Sequence, residues 1–225
     1  MRAPISVIIP TLNASEALPQ CLTALMEGLD SGIIRELIIS DGGSQDATGA
    51  VALAWGAEVV HGPASRGGQL RRGCAQAKGD WLLILHADTA LAKGWAEQMH
   101  KHMRSSGDAA WCRLQFDKGG LPAWLVARWA NLRSSLGWPY GDQGLLISRV
   151  LYEKVGGYAD IPLMEDVAMA RALKGQIVGL DAVAVTSADK FVRQGWFRRG
   201  ARNLWTLARY RVGGDPVRLA RSYRR

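Results

Sequence analysis

The sequence predicts an α/β fold, a doubly wound and mostly parallel sheet with helices on both faces. Three observations carry this. Short branched or aromatic runs alternate with segments of helical spacing through the first half of the chain. The runs are apolar on both faces, as strands covered from both sides must be. A chain of 225 residues, 48% hydrophobic and 21% charged, is also long enough to bury one large core without metals or staples.

The elements follow in order. Ile5-Ser6-Val7-Ile8-Ile9 is cut by Pro10. It is too short for a signal-peptide core or a membrane span of roughly 20 residues, and reads as the first strand. Leu18, Leu22, Leu25 and Leu29 recur at helical spacing. Strands are expected at 34–39, 57–60 and 81–85, separated by helices at 51–55 and 70–77. After residue 107 the pattern shifts to a strand at 111–116 and a helix at 121–132, with Pro122 in its first turn. Trp124 and Trp129 on that helix read as core, or as stacking platforms for a ligand. A glycine-rich turn over 137–144, an apolar run at 145–147 and a helix starting near Met164 complete the body.

Charge is unevenly placed. There are 28 basic against 20 acidic residues, yet ten arginines and only Asp215 fall between 193 and 225, leaving the first 192 residues near neutral. The expectation is a domain over residues 1–190 with a basic helical segment, 191–225, packed on it. Trp196, Phe197, Trp205 and Tyr210 interleave with the arginines, so the segment also suits an anionic membrane or nucleic acid. Packing is the preferred reading, with peripheral membrane contact beside it and no nucleic acid partner. Cys21, Cys74 and Cys112 form no Cys-x-x-Cys pair, which fits a reducing cytoplasm and suggests neither a disulfide framework nor a zinc ribbon.

In sheets of this kind ligands bind beyond the carboxyl ends of the strands. Those ends carry Pro10-Thr11-Leu12-Asn13, Asp41-Gly42-Gly43-Ser44 and His86-Ala87-Asp88-Thr89. Ser44 and Thr89 suit helix caps. Asp88, at the end of a buried strand, needs a cation or donor groups, and a divalent ion on a diphosphate would serve; a helix cap is the plainer role. Asp41 before Gly42-Gly43 suits a base N–H or a ribose hydroxyl, and equally a tight turn. Glu165 and Asp166 open a helix, where acids complement the dipole, and an acid with room for a hydroxyl in front of it suits a general base. Residues 65–73, with Arg66, Gly67, Gly68, Arg71 and Arg72, look like an anion-binding loop of free N–H groups and guanidiniums. Neither a P-loop nor a Gly-x-Gly-x-x-Gly is present, which disfavours nucleotide kinases and dinucleotide enzymes. A nucleotidyltransferase would carry a glycine-rich loop after the first strand, and none is there. Glu97, His100 and His102 read as a solvated helix face.

Taken in order, residues 5–13, Asp41-Gly42-Gly43-Ser44-Gln45-Asp46, Ala87-Asp88-Thr89 and Glu165-Asp166 resemble the motif set of family 2 glycosyltransferases with the GT-A fold. More narrowly, residues 65–73, Leu85-His86-Ala87-Asp88-Thr89, Tyr140-Gly141-Asp142-Gln143-Gly144, Pro162-Leu163-Met164-Glu165-Asp166 and residues 213–220 are similar to the radical-SAM/selenodomain-associated transferase branch, also called arsenosugar-biosynthesis glycosyltransferases. The resemblance implies an inverting transfer of a sugar from a nucleotide diphosphate donor to a hydroxyl of a small-molecule or lipid-linked acceptor. It implies Asp41 at the nucleobase, with Pro10, Thr11 and Asn13 lining the pocket. Asp88 would reach Mg²⁺ or Mn²⁺, Arg66 and Arg71 would meet phosphates, and Asp166, with Glu165 beside it, would supply the base. The family usually has Asp-x-Asp where this chain has His86-Ala87-Asp88, so His86 is left as a ribose contact or packing. An acid also usually follows the Asn directly, whereas here Ala14 and Ser15 precede Glu16. Asp189 interrupts the basic pair expected near Lys190.

Overall fold

The computed structural model describes residues 3–223, so Arg224 and Arg225 of the basic tail lie outside it. The first half winds β1 (Ile5–Thr11), α1 (Leu18–Asp30), β2 (Ile34–Asp41), α2 (Thr48–Ala54), β3 (Glu58–His61), α3 (Arg66–Gln76) and β4 (Trp81–Ile84). Then come β5 (Thr89–Leu91), α4 (Trp95–Ser105), β6 (Ala109–Phe116), α5 (Gly120–Ser135), a 3-10 turn (Gly141–Gln143), β7 (Leu145–Ser148), α6 (Arg149–Lys154) and α7 (Glu165–Ala172). The chain closes on β8 (Ile177–Thr186), α8 (Asp189–Gln194), α9 (Trp196–Arg211) and α10 (Pro216–Tyr223).

The strands form one sheet in the order β3-β2-β1-β4-β7-β6-β8-β5. Pairing is parallel from β3 through β4 and between β6 and β8, and antiparallel around β7 and at β5. Period-two alternation sorts the side chains into two cores. Ile5, Val7, Ile9, Ile39, Leu83 and Leu85 meet α1 and α4 on one face. Ile8, Ile38, Leu82 and Ile84 meet α3, α6 and α7 on the other. A third cluster packs Leu114 and Phe116 of β6 against Ala123, Ala127 and Ala130 of α5. There Phe116 meets Phe191 and Trp196 with ring centroids 5.0 Å apart. The three cysteines are buried and free.

Several expectations change. Thr89 lies in β5 and caps nothing. Ser44 bonds Asp41 and Asn13 instead of capping α2, whose first turn is held by Asp46 through the Thr48 N–H at 3.0 Å. His102 is buried, its Nε2 2.8 Å from the Asp108 carbonyl, so the 97–102 face is not wholly solvated. Trp124 and Trp129 are exposed, because α5 turns its alanines inward.

The β1 register opens the crevice. Its pairing with β4 ends at Ile8 and Ile84, whereas its pairing with β2 continues to Thr11 and Asp41. Pro10, with no N–H to give, stands where β4 has already turned away. The ends of β1, β2 and β4 therefore surround one opening at the switch in strand order.

Close packing decides one substitution against helix propensity. Gly28 sits within α1, and alanine there is intrinsically favoured by about 1 kcal/mol. A Cβ on Gly28 would enter the ring of fully buried Trp95 and lie 2.9 Å from Ile34. Trp95 is also tethered through Nε1 to the Ala24 carbonyl at 3.0 Å. Overpacking of roughly 1–3 kcal/mol wins, so Gly28→Ala should lower the urea midpoint at unchanged m value. An equal or higher midpoint would show that the ring can yield.

Candidate active site

The site is built on loops held by strand ends. Asp41 is buried, and its carboxylate takes four bonds from its own surroundings. Oδ1 accepts from the Thr11 hydroxyl at 2.8 Å and the Ser44 hydroxyl at 2.6 Å; Oδ2 accepts from the N–H groups of Gly43 and Ser44 at 2.9 and 2.8 Å. Burial pushes its pKa up, but these donors outweigh it and hold the carboxyl below the usual range. Asn13, in the left-handed region at φ 51°, clamps the loop from the other side. Its N–H reaches Ser44 Oγ and its Oδ1 accepts from the Gln45 N–H, both at 2.8 Å. Gln69, buried on α3, donates to the carbonyls of Thr11 at 2.7 Å and Ser40 at 3.0 Å, fixing the ends of β1 and β2 to α3.

A second group gathers around Asp88. Its Oδ2 is 2.9 Å from Lys190 Nζ, an ion pair spanning 102 positions of sequence. Asp189 turns instead to Lys118 at 2.5 Å, so it does not interfere with Lys190. Desolvation raises the Asp88 pKa, while Lys190, His86 and Arg66 bring it below normal. The His86 ring is pushed down to about 4 by burial and by the field of Arg66, which leaves it neutral near pH 7. It packs on Gly141, where an added Cβ would lie 2.7 Å from Cε1.

The third group is the start of α7. Asp166 Oδ2 accepts from the Gly141 N–H at 2.9 Å and Oδ1 from the Val167 N–H at 2.8 Å, so the 3-10 turn and the helix end aim the carboxylate together. Glu165 is only 1% exposed, with neither carboxylate oxygen hydrogen-bonded, and Arg66 Nη1 stands 3.8 Å away. Burial first, then Asp166, pushes Glu165 up to about 7. Arg66 is 46% exposed at its side chain and feels Glu165, Asp166 and Asp88 together, which raise its pKa against the effect of burial.

Asp88, Glu165, Asp166, His86 and Arg66 thus share one field, whereas Asp41 sits at the neighbouring strand ends with its oxygens already taken. Asp88 and Asp166 both act on Arg66, His86 and Asp142, whereas Asp41 is engaged by Thr11, Gly43 and Ser44. Arg71 is exposed on α3, five residues beyond Arg66, and its charge acts on Tyr152. Residues 66–73 form the first turns of α3, and the N–H groups of Gly67, Gly68 and Gln69 are not free for an anion. Gly67 donates to the Ile161 carbonyl at 3.0 Å, Gly68 to Ser65 Oγ at 3.4 Å, and Gln69 to the Ser65 carbonyl at 2.7 Å. The glycines are there for approach: a Cβ on Gly67 would strike the Ala159 carbonyl and one on Gly68 would lie 2.6 Å from Asp160 Oδ1.

Sequence reasoning missed Lys190 as the partner of Asp88, and it missed Asp142. The Asp142 Oδ1 is buried without a hydrogen bond, and burial pushes its pKa to about 6 despite Arg133. Arg133 itself lies over the Tyr140 ring, 3.2 Å from the centroid. The signal was the string Gly141-Asp142-Gln143-Gly144, an acid between glycines ahead of a buried strand.

Similarity to known proteins gives the family and the type of fold. Residues 6–159 match the family described as glycosyl transferase family 2. A PGL/p-HBAD biosynthesis glycosyltransferase of Mycobacterium tuberculosis is 36% identical over 99 residues, which is 40% of this chain and 38% of that protein. A TPR repeat-containing protein of Synechococcus elongatus is 35% identical over 98 residues, 42% of this chain and 23% of that one. The chain therefore spans well under half the length of these relatives. Among solved structures, Staphylococcus aureus TarS 1–349 in complex with UDP superposes with TM-score 0.62 at 15% identity, covering 84% of this chain and 62% of that one. Glucosyl-3-phosphoglycerate synthase from Mycobacterium tuberculosis, with Mn²⁺, UDP and phosphoglyceric acid, gives 0.59 at 24% identity, covering 82% and 69%. These likenesses establish the GT-A type of sheet, and with more than half its residues matched the chain belongs to glycosyl transferase family 2.

Proposed function

We propose that the protein transfers a sugar, with inversion, from a nucleoside diphosphate donor to an acceptor hydroxyl. The observation that carries this reading is the shared field of Asp88, Asp166 and Arg66 beside the ends of β1 and β4. The UDP named with the structural neighbours makes uridine diphosphate the first donor product to try. Within the family we place the chain in the radical-SAM/selenodomain-associated branch, on the strings at 65–73, 140–144 and 162–166.

The nucleoside end lies over Pro10, Thr11 and Asn13. Because Asp41 is fully engaged, we read it as the brace that shapes this loop, leaving main-chain groups and side-chain faces to meet the base. Arg66 faces the diphosphate. Glu165, too buried to touch substrate, stands behind Arg66 and holds it forward. His86 remains a packing group under the turn at Gly141.

A divalent cation fits this site only in part from protein donors. No three of His, Cys, Asp and Glu come together as a cage among the described residues. Mg²⁺ and Mn²⁺ at nucleotide sites need only one or two carboxylates when phosphates and water complete the shell. Asp88 can be that one ligand, since Lys190 engages only Oδ2. Such an ion would neutralise charge on the departing diphosphate. Lys190 stands where it can share that task, and Asp166, its carboxylate aimed by Gly141 and Val167, takes the proton of the acceptor hydroxyl from the opposite side. Asp142 and Arg133, beside Asp166, flank the acceptor end.

Three measurements test this. Uridine diphosphate with Mn²⁺ should raise the melting temperature of the parent and do so far less for Asp88→Ala; Lys190→Ala should strengthen the metal dependence by freeing the carboxylate. Equal stabilisation of parent and Asp88→Ala removes that residue from the role. Asp166→Asn keeps an acceptor for Gly141 N–H, so donor binding should persist while kcat falls on the order of 10²–10⁴-fold; an unchanged kcat would move the base elsewhere.

The third measurement concerns Glu165. Its folded pKa lies above its unfolded value of 4.5, so between about pH 4.5 and pH 7 the folded chain binds the extra proton. Stability then falls as pH rises through that window. Glu165→Gln should flatten the decline by an amount on the order of 2 kcal/mol, read from urea unfolding at several pH values. Asp41, shifted downward, acts with the opposite sign and below this window. Parallel curves for parent and variant would show Glu165 ionised throughout.

A further inference from the structure

Helix α5 is built inside out. Its buried side is Ala123, Ala127 and Ala130, and its outer side carries Leu121, Trp124, Leu125, Trp129, Leu132 and Leu136. Trp124 is 54% exposed and Trp129 53%. A helix apolar all round belongs against another apolar phase. Helix α9 repeats the arrangement: Thr206 and Leu207 face inward, while Phe197, 78% exposed, and Trp205, 65% exposed, face out. The two helices run side by side in the same direction. Their N-terminal ends meet where Gly119 packs under Trp196, and their C-terminal ends where Arg211 covers the Trp138 ring at 3.8 Å.

The exposed charge of these elements is cationic. Arg128 on α5, Arg198, Arg209 and Arg211 on α9, and Arg218 and Arg221 on the following α10 are exposed, and the acid on this tail, Asp215, is already 3.7 Å from Arg218. We propose that the α5–α9 face lies flat on an anionic lipid bilayer, with tryptophan rings at the acyl boundary and arginines on the headgroup phosphates. Charge selects this occupant. A second copy would bring one set of arginines against another, whereas an anionic headgroup layer complements them. The helices rest on the bilayer, since no described helix is long and apolar enough to cross one.

The face is one layer from the site. Leu207 and Tyr210 of α9 pack with Trp138 and Tyr140 on Met164 and Val167, the residues either side of Glu165 and Asp166. The acceptor hydroxyl would then be presented by a molecule resident in the membrane. This last step rests on the transferase reading above; the docking itself does not.

The test is flotation of the full chain with vesicles of phosphatidylcholine alone or with a quarter phosphatidylglycerol. The parent should float only with the anionic vesicles, with a blue shift of tryptophan emission. The double variant Trp124→Glu/Trp129→Glu and the double variant Arg198→Glu/Arg209→Glu should each lose about tenfold in bound fraction. Both change exposed positions, and unchanged melting temperature and uridine diphosphate binding show the fold and site intact. Failure of the parent to float, flotation of the tryptophan variant equal to the parent, or a dimer in solution that the tryptophan variant dissociates would each overturn the proposal. Lost nucleotide binding in a parent that still floats would instead sink the transferase reading.

Discussion

Everything at the site hangs on how β1 is shared between two parallel neighbours. Its side chains enter both cores, Ile9 on one face and Ile8 on the other, so its register cannot slip by one residue without exchanging the two faces. That fixed register delivers Thr11, Asp41 and the 86–88 segment to the same edge. The buried amide of Gln69 then ties the carbonyl of Thr11 and that of Ser40 to α3, whose first residue is Arg66. The position of the Arg66 guanidinium is thus a consequence of strand pairing, and not of a dedicated loop.

Charge at the site is arranged in matched pairs of unequal exposure. Lys190 and Asp88 are both partly open to solvent, whereas Glu165 is enclosed and its partner Arg66 is half exposed. An enclosed acid without hydrogen bonds is costly to ionise, and the cost is lowered when a cation stays near it. Arg66 thus stands between the enclosed Glu165 and the more open acids, Asp88 and Asp166, and feels all three. The single carboxylate at Asp88 is paired with a lysine that follows β8, far along the chain.

The parts legible in the sequence are those buried on both faces. β1, β2 and β4 announce themselves as short branched runs, and α1 by leucines at 18, 22 and 25. β8 was not legible because Gly179 and Asp181 interrupt its apolar pattern, and β5 is only three residues long. The outer face of α5 was misread for a physical reason. Apolar residues at helical spacing mark a stripe, but a helix with two such stripes does not say which one turns inward, and here the small alanines do. The glycines at 67 and 68 were legible as a special loop but assigned to the wrong cause, since close approach of backbone and open N–H groups leave the same residue in the sequence. Lys190 was hidden by distance: nothing local relates it to Asp88.

The approach at Gly67 has a wider effect. With its N–H on the Ile161 carbonyl and Ser65 bonded to Asp160 at 3.0 Å, the start of α3 is riveted to the segment that leads into α7. The start of α3, which carries Arg66, and the start of α7, which carries Asp166, are therefore held in one bracket. The 137–144 turn is joined to the same bracket through the Gly141 N–H on Asp166, so a change of shape in that turn is felt at the start of α7 and, through residues 159–161, at the start of α3.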